Sequence, residues 1–355
     1  MLKTGSAIAL FALLNTACAA STAWSVKTGA PIRGGVLTDA NGSVIVGNLA
    51  GDVLAFDGTR RQRWHSRIDG AITSTPLRHA GLVIIASSKG VSALQEADGK
   101  PRWQHKLGNL GLDQLKSWDS LQADPVAAGK LVLVVFGTQL LALDAASGKQ
   151  IWTSQLPAAS SATPLLTADG ILLVDERGQL QIIDAGNGKL LRSTTLARAA
   201  IQQAPALSGK LLVYGSRDGK VRAQVPGETR PRWEVDHGSS WIVASPLLDD
   251  GLALVGSSDS QLLQGIDLSS GKVRWELPSG QNALRAPVKA GSLYWFAGGD
   301  AYSPQSPSKL LAVNASGKIR HSIAMPSALF GQAVVAGDTL WIGGEDGVLH
   351  ALPSK

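Results

Sequence analysis

Only one cysteine, Cys18, occurs in the 355 residues, so no internal disulfide can form. Charged residues make up 17% of the chain, and its formal excess of +6 is scattered rather than clustered. No run of Lys and Arg interleaves with aromatics, which argues against a nucleic-acid track and leaves a soluble basic surface as the reading. No hydrophobic stretch approaches the roughly 20 residues that cross a bilayer as a helix. The six histidines show no His-x-x-x-His spacing. Neither a Gly-x-Ser-x-Gly elbow nor a Gly-x-x-x-x-Gly-Lys-Ser/Thr phosphate loop is present. No metal or cofactor is expected, and no catalytic residue stands out.

What the chain does have is a repeated phrase. Leu140 to Leu143 suits a buried strand, Asp144 to Lys149 a tight turn, and Ile151-Trp152 the start of a second strand. Related phrases end in Trp103 and Trp275, and weaker copies in Trp64, Arg192, Trp233 and His321. Counting from Trp24, successive positions of this kind are 40, 39, 49, 40, 41, 42 and 46 residues apart. A period near 40 built from short strands predicts propeller blades, because a four-stranded unit buries its faces only against neighbours. Forty glycines and 16 prolines fit a fold so rich in turns. A second repeat reinforces the first: Thr75-Pro76, Asp124-Pro125, Thr163-Pro164, Ala204-Pro205, Ser245-Pro246 and Ala286-Pro287 each precede an apolar pair. Proline at the head of a strand loses no ladder bond, so these mark the entrances of inner strands.

The ends complement each other. Trp24 closes a repeat whose opening strand is missing, and residues 346 to 352 open one that never reaches its Trp. Pairing them predicts an all-β, eight-bladed propeller over 21–355, closed in one blade by the N- and C-terminal strands. Residues 1–20 read as an export signal, with Lys3, the apolar run Ala7 to Leu14 and the small-residue site around Cys18. Export puts the mature chain in an oxidising compartment, most simply the bacterial periplasm. Cys18 is also a candidate for lipidation, which would make the chain a peripheral outer-membrane lipoprotein.

Three places break the period: 110–119, 237–242 and 298–307. Insertions on a rigid ring are where binding surfaces tend to sit. Leu112, Leu115, Trp118 and Trp241 are the candidate anchors for a protein partner, with Asp113 and Asp119 as polar contacts. The apolar side chains of 110–119 are expected to stand out from an exposed loop.

The Ala-Leu-Asp-x-x-x-Gly-Lys-x-x-Trp phrase resembles the repeat of pyrroloquinoline-quinone-type propellers over residues 23–352. The resemblance implies that Trp24, Trp64, Trp103, Trp152, Trp233 and Trp275 are structural, each packed on the next blade, with Trp64, Trp103, Trp152, Trp233 and Trp275 in the core. A short exported chain without enzyme insertions is most similar to the branch of that family that serves outer-membrane β-barrel assembly. That likeness implies a non-catalytic scaffold, monomeric within a complex, whose partners are envelope proteins and above all the barrel-forming subunit. Leu112-Asp113-Gln114-Leu115 with Asp119 and Pro125 is similar to an Ile-Asp-Arg-Leu segment of that branch, with Gln114 in place of Arg and a longer spacing to Pro125. Two other readings follow from the same repeat. One is a module binding cell-wall polysaccharide or a small ligand in the central channel; the other, a quinone-dependent dehydrogenase, lacks its vicinal cysteine pair here. Asp144, Asp184 and Asp267 would be turn-formers rather than bases or ligands.

Overall fold

A computed structural model describes residues 23–355 apart from 113, 117, 120 and 239; the expected export signal over 1–20, Cys18 and Asp113 lie outside the described residues. Among these residues there is no helix, and all regular structure is β-strand. The strands form eight four-stranded antiparallel sheets. Seven blades are contiguous, spanning 37–67, 77–106, 126–155, 165–195, 206–236, 247–278 and 288–325. The eighth joins 334–353 to the N-terminal strand Trp24–Lys27, which pairs antiparallel with Val348–Pro353 in the register Trp24 to Ala351 and Lys27 to Val348. The ring therefore closes as the unfinished ends predict.

Blade 3 shows why the sequence builds such a unit. Its inner strand Val126–Ala128 is short and follows Pro125, which cannot donate to a ladder. The middle strands, Leu131–Phe136 and Gln139–Asp144, are apolar almost without interruption and are buried on both sides. Strands covered by a neighbour on each face have no need of polar alternation. The outer strand Gln150–Gln155 alternates from Ile151 onward, with Trp152 and Ser154 buried and the residues between them exposed.

The eight repeat positions fall in one register. Trp64, Trp103, Trp152, Trp233 and His321 each lie opposite an alanine on the third strand, as Trp24 does in the shared blade; Trp275 lies opposite Gly265. Arg192 faces Ile182 instead. In blade 3 the ladder slips by a bulge next to the pair, between Ala142 and Leu143, and blades 1, 2, 4, 6 and 7 slip at the same place.

Alternating strand direction gives the disc two unlike faces. One carries the turns from first to second and from third to fourth strand; we call it the girdle face. The other carries the remaining turns and the crossings between blades, and all three irregular segments emerge there: 107–125, 237–246 and 297–307. We call it the cap face.

On the girdle face each repeat tryptophan reaches across to the next blade. Trp64, Trp103, Trp233 and Trp275 donate their indole N–H to Glu96, Ala145, Leu268 and Ala315 carbonyls at 2.9–3.0 Å. Each ring lies on a turn glycine: a Cβ added to Gly148 would come within 2.4 Å of Trp103, and φ there is +71°. The glycine of the Gly-Lys phrase is thus needed twice over, for its left-handed backbone and for the ring that rests on it. Trp64, Trp152 and Trp233 are 7–8% exposed, whereas Trp24, Trp103 and Trp275 are half-buried at the outer edge. The turn aspartates bond their own backbone: Asp144 accepts from Ser147 N, Asp184 from Gly186 and Asn187 N, and Asp267 from Ser269 and Ser270 N. Those bonds, with the Ser269 hydroxyl foremost and Arg274 beside it, hold the Asp267 carboxyl far below the usual range.

Candidate functional site

The entrances of successive inner strands are hydrogen-bonded to one another around the axis of the cap face. Gly35 N donates to Thr75 Oγ1 at 3.1 Å, Thr75 N to Asp124 Oδ1 at 2.6 Å, and Asp124 N to Thr163 Oγ1 at 3.0 Å. Ser161 Oγ continues to Gln202 O, Ser245 Oγ reaches Ala204 O, and Gln332 Nε2 reaches Ala286 O. Polar residues at or just before these entrances thereby link one blade to the next.

Across this rim lies Arg285, from blade 7's entrance. Its guanidinium donates to the carbonyls of Phe330 at 3.1 Å, Arg33 at 2.5 Å and Thr73 at 3.3 Å, contributed by blades 8, 1 and 2. Arg33 in turn holds buried Glu345 with two bonds of 2.8 and 2.9 Å. Burial pushes the Asp124 carboxyl up, against the Thr75 amide bond and the charge of Arg285. Beside this polar knot sits an apolar one: Leu121, Val243, Leu284, Ala301, Ala328 and Phe330 form a cluster, with Trp118 and Trp241 half-buried on it. Side chains thus fill the axis at this end.

The three irregular segments meet over that cluster. Trp118, from the first, lies against Tyr302, from the third, with ring centroids 5.3 Å apart and planes tilted by 52°. The second supplies Trp241, whose ring carries the Arg217 guanidinium 4.2 Å from its centroid. Arg217 also pairs with Asp119 of the first segment and donates to Gln202 Oε1 at 2.9 Å, while Gln202 Nε2 donates to Trp118 O at 3.2 Å. One arginine therefore ties two insertions together, and Tyr302 remains 73% exposed beside them.

Trp118, Asp119 and Trp241 are accordingly gathered into one patch. Leu115 is 42% exposed and is not among the residues of that buried cluster. Leu112 is 4% exposed and withdrawn from the surface, and Leu121 likewise turns inward. The first segment therefore differs in part from the expected outward-facing loop: Leu115 stands out as expected, but Leu112 and Leu121 are its footing on the ring. Arg217, Gln202 and Tyr302 were missed. Tyr302 lies in a segment already marked as irregular, but Arg217 reads as an ordinary turn residue of Arg217-Asp218-Gly219, and nothing local signals its reach. The repeat tryptophans sit on the outermost strands, away from the axis where a channel ligand would stack. Among the described residues, no three His, Asp or Glu side chains stand where they could hold a metal ion.

A sequence profile of the family described as "Outer membrane protein assembly factor BamB" matches residues 16–112, 87–236 and 176–354. Outer membrane protein assembly factor BamB of Xanthomonas campestris is 27% identical over 273 residues, covering 62% of this chain and 66% of that protein. The chain thus spans just under two-thirds of that relative, and 56% of the BamB of Burkholderia pseudomallei, to which it is 26% identical over 254 residues and 71% of its own length. Among solved structures, BamB from Moraxella catarrhalis superposes with a TM-score of 0.72 at 18% identity, covering 92% of this chain and 95% of that one.

Proposed function

The chain belongs to the family of outer membrane protein assembly factor BamB, and from that premise we propose that it is a non-catalytic scaffold of the periplasm that assists insertion of β-barrel proteins into the outer membrane. In this reading residues 1–20 direct export, Cys18 is either removed with them or lipidated, and the mature ring works as a monomer inside a larger complex. Its partner is the barrel-forming subunit, and the contact is the cap patch. One observation carries the reading: Trp118, Trp241 and Tyr302, from three separate insertions, converge on one face, with Arg217 binding the first two insertions together. Aromatic and arginine side chains grouped over a rigid base are the composition of interface hot spots. Leu115 and Asp119, both exposed, extend the patch, with Asp113 as a further polar contact, while Leu112 anchors the loop.

Affinity purification of the tagged protein from crosslinked envelopes tests this. Wild type should recover the barrel-insertion machinery, and Trp118→Ala with Tyr302→Ala should lower recovery by about 10-fold or more, the scale of a truncated hot spot. Unchanged recovery from the double variant would remove the cap from the proposal. Labelling with radioactive palmitate in wild type and Cys18→Ser decides between a soluble and a lipidated form.

A further inference from the structure

Seven of the eight corners between blades on the girdle face are filled by an aromatic of the chain itself. Trp24 packs edge-on to Phe56 at 5.4 Å, and Trp64, Trp103, Trp152, Trp233 and Trp275 rest on the next blade's glycine. Where His321 replaces the tryptophan, Trp295 stacks on it at 5.9 Å with planes 5° apart and donates to Ser354 O. The corner between blades 4 and 5 has no such filling. Arg192 stands in the tryptophan's place, its guanidinium no closer than 3.7 Å to the position a Cβ would take on Gly227.

What remains is a cleft of about 430 Å³, walled by Leu172, Ile182, Leu207 and Val225. That volume lies within the roughly 300–1,000 Å³ of sites that bury small organic groups. Leu191 and Leu207 at its edge are 57% and 42% exposed. Its charge is lopsided: Arg192 and Lys210 face a single carboxylate, Asp169. Neither cation has an ion pair or side-chain hydrogen bond among the described residues.

We infer that this corner is a docking site for an aromatic side chain carried by an acidic segment of a partner protein. The sister corners define the shape, since each holds a flat ring between neighbouring blades. Arg192 and Lys210 define the charge, because a carboxylate beside the ring would meet two unpaired cations while the ring displaces water from the leucines. The site lies on the face opposite the cap, so its failure would leave the cap reading untouched.

The test uses blocked tripeptides and the full folded protein at low salt, with binding read by chemical-shift perturbation and calorimetry. Glu-Trp-Glu should bind saturably, Lys-Trp-Lys about 10-fold more weakly or worse, and Glu-Ala-Glu not at all. Arg192→Trp combined with Ile182→Ala rebuilds the sister arrangement from within and should abolish binding. Leu207→Glu, at a position 42% exposed, should do the same with an unchanged melting curve. Absence of saturable binding by Glu-Trp-Glu, equal binding of the basic peptide, or undiminished binding to folded Leu207→Glu would each overturn the assignment. Concentration-dependent self-association lost in Leu207→Glu would also overturn it, by showing that the occupant is a second copy.

Discussion

The girdle and the cap use the same side chains to opposite ends. On the girdle face an indole has a glycine under its ring and, in four blades, a carbonyl at its N–H, so the group is spent on joining blades. On the cap face Trp118, Trp241 and Tyr302 are grouped around a guanidinium and an apolar cluster, with part of each ring left in solvent. Aromatic content alone says nothing of role: what separates a seam from a surface is whether the polar handle and both ring faces are already occupied.

That contrast can be broken from the girdle side first. Trp152→Ala opens a seam between blades 3 and 4 and should cost about 3–5 kcal/mol, read as a lower denaturant midpoint. An effect under about 1 kcal/mol would mean that the ring does not depend on its tryptophans. Next comes the cap's own foundation. Arg285→Met removes donors from three buried carbonyls at the axis and should cost about 3 kcal/mol, since hydrogen bonds to charged groups are worth about 1.5–3 kcal/mol each and burial already taxes the charge. Gly148→Ala strikes the seat of Trp103 rather than the ring, and overpacking with a strained φ should cost about 2 kcal/mol.

A smaller effect depends on pH. His237, in the second insertion, is buried, and among the described residues neither ring nitrogen makes a well-formed hydrogen bond. Burial pulls its pKa below the ordinary 6.5, with Glu276, Asp236 and the nearby Gln264 side chain opposing. Because the folded value lies below the unfolded one, protonation favours the unfolded chain. Stability is therefore full above about pH 6.5 and declines as pH falls through that value toward the folded pKa. Melts at about pH 7.5 and about pH 5 should show a smaller loss for His237→Asn than for wild type, with His350, also lowered by burial, retaining part of the slope. The least change is expected from Tyr302→Ala, within about 0.5 kcal/mol of wild type, because most of that ring already faces water. A large destabilisation there would erase the distinction between the two faces.

The girdle was legible because it is periodic. Trp64, Trp103, Trp152, Trp233 and Trp275 announce themselves by spacing, and even Arg192 and His321 fall in register with them. The incomplete phrases at Trp24 and at Asp346 to Leu352 sufficed to place the closing blade. The bulges beside the tryptophans were not legible, since an extra residue in a ladder leaves no compositional mark. The cap resisted for the complementary reason. Its segments are the aperiodic ones, and Arg217, Gln202 and Arg285 act on residues from other blades that only the closed circle brings near. The inward turn of Leu112 belongs to the same class, because spacing within an irregular segment does not say which way its leucines face.

The joining of the two ends has a temporal meaning. Thr28 Oγ1 donates to Gly347 O, 319 positions along the chain, and the whole strand from Trp24 to Lys27 finds its ladder only on Val348–Pro353. The first of these partners is made well before the second, so the leading edge must wait, unpaired and prone to wrong pairings, until Val348–Pro353 has also emerged. Such distant contacts also make the final docking slow. The molecule's most vulnerable moment is therefore the interval before its circle shuts, and a holding factor that shields an unpaired strand would serve it best then.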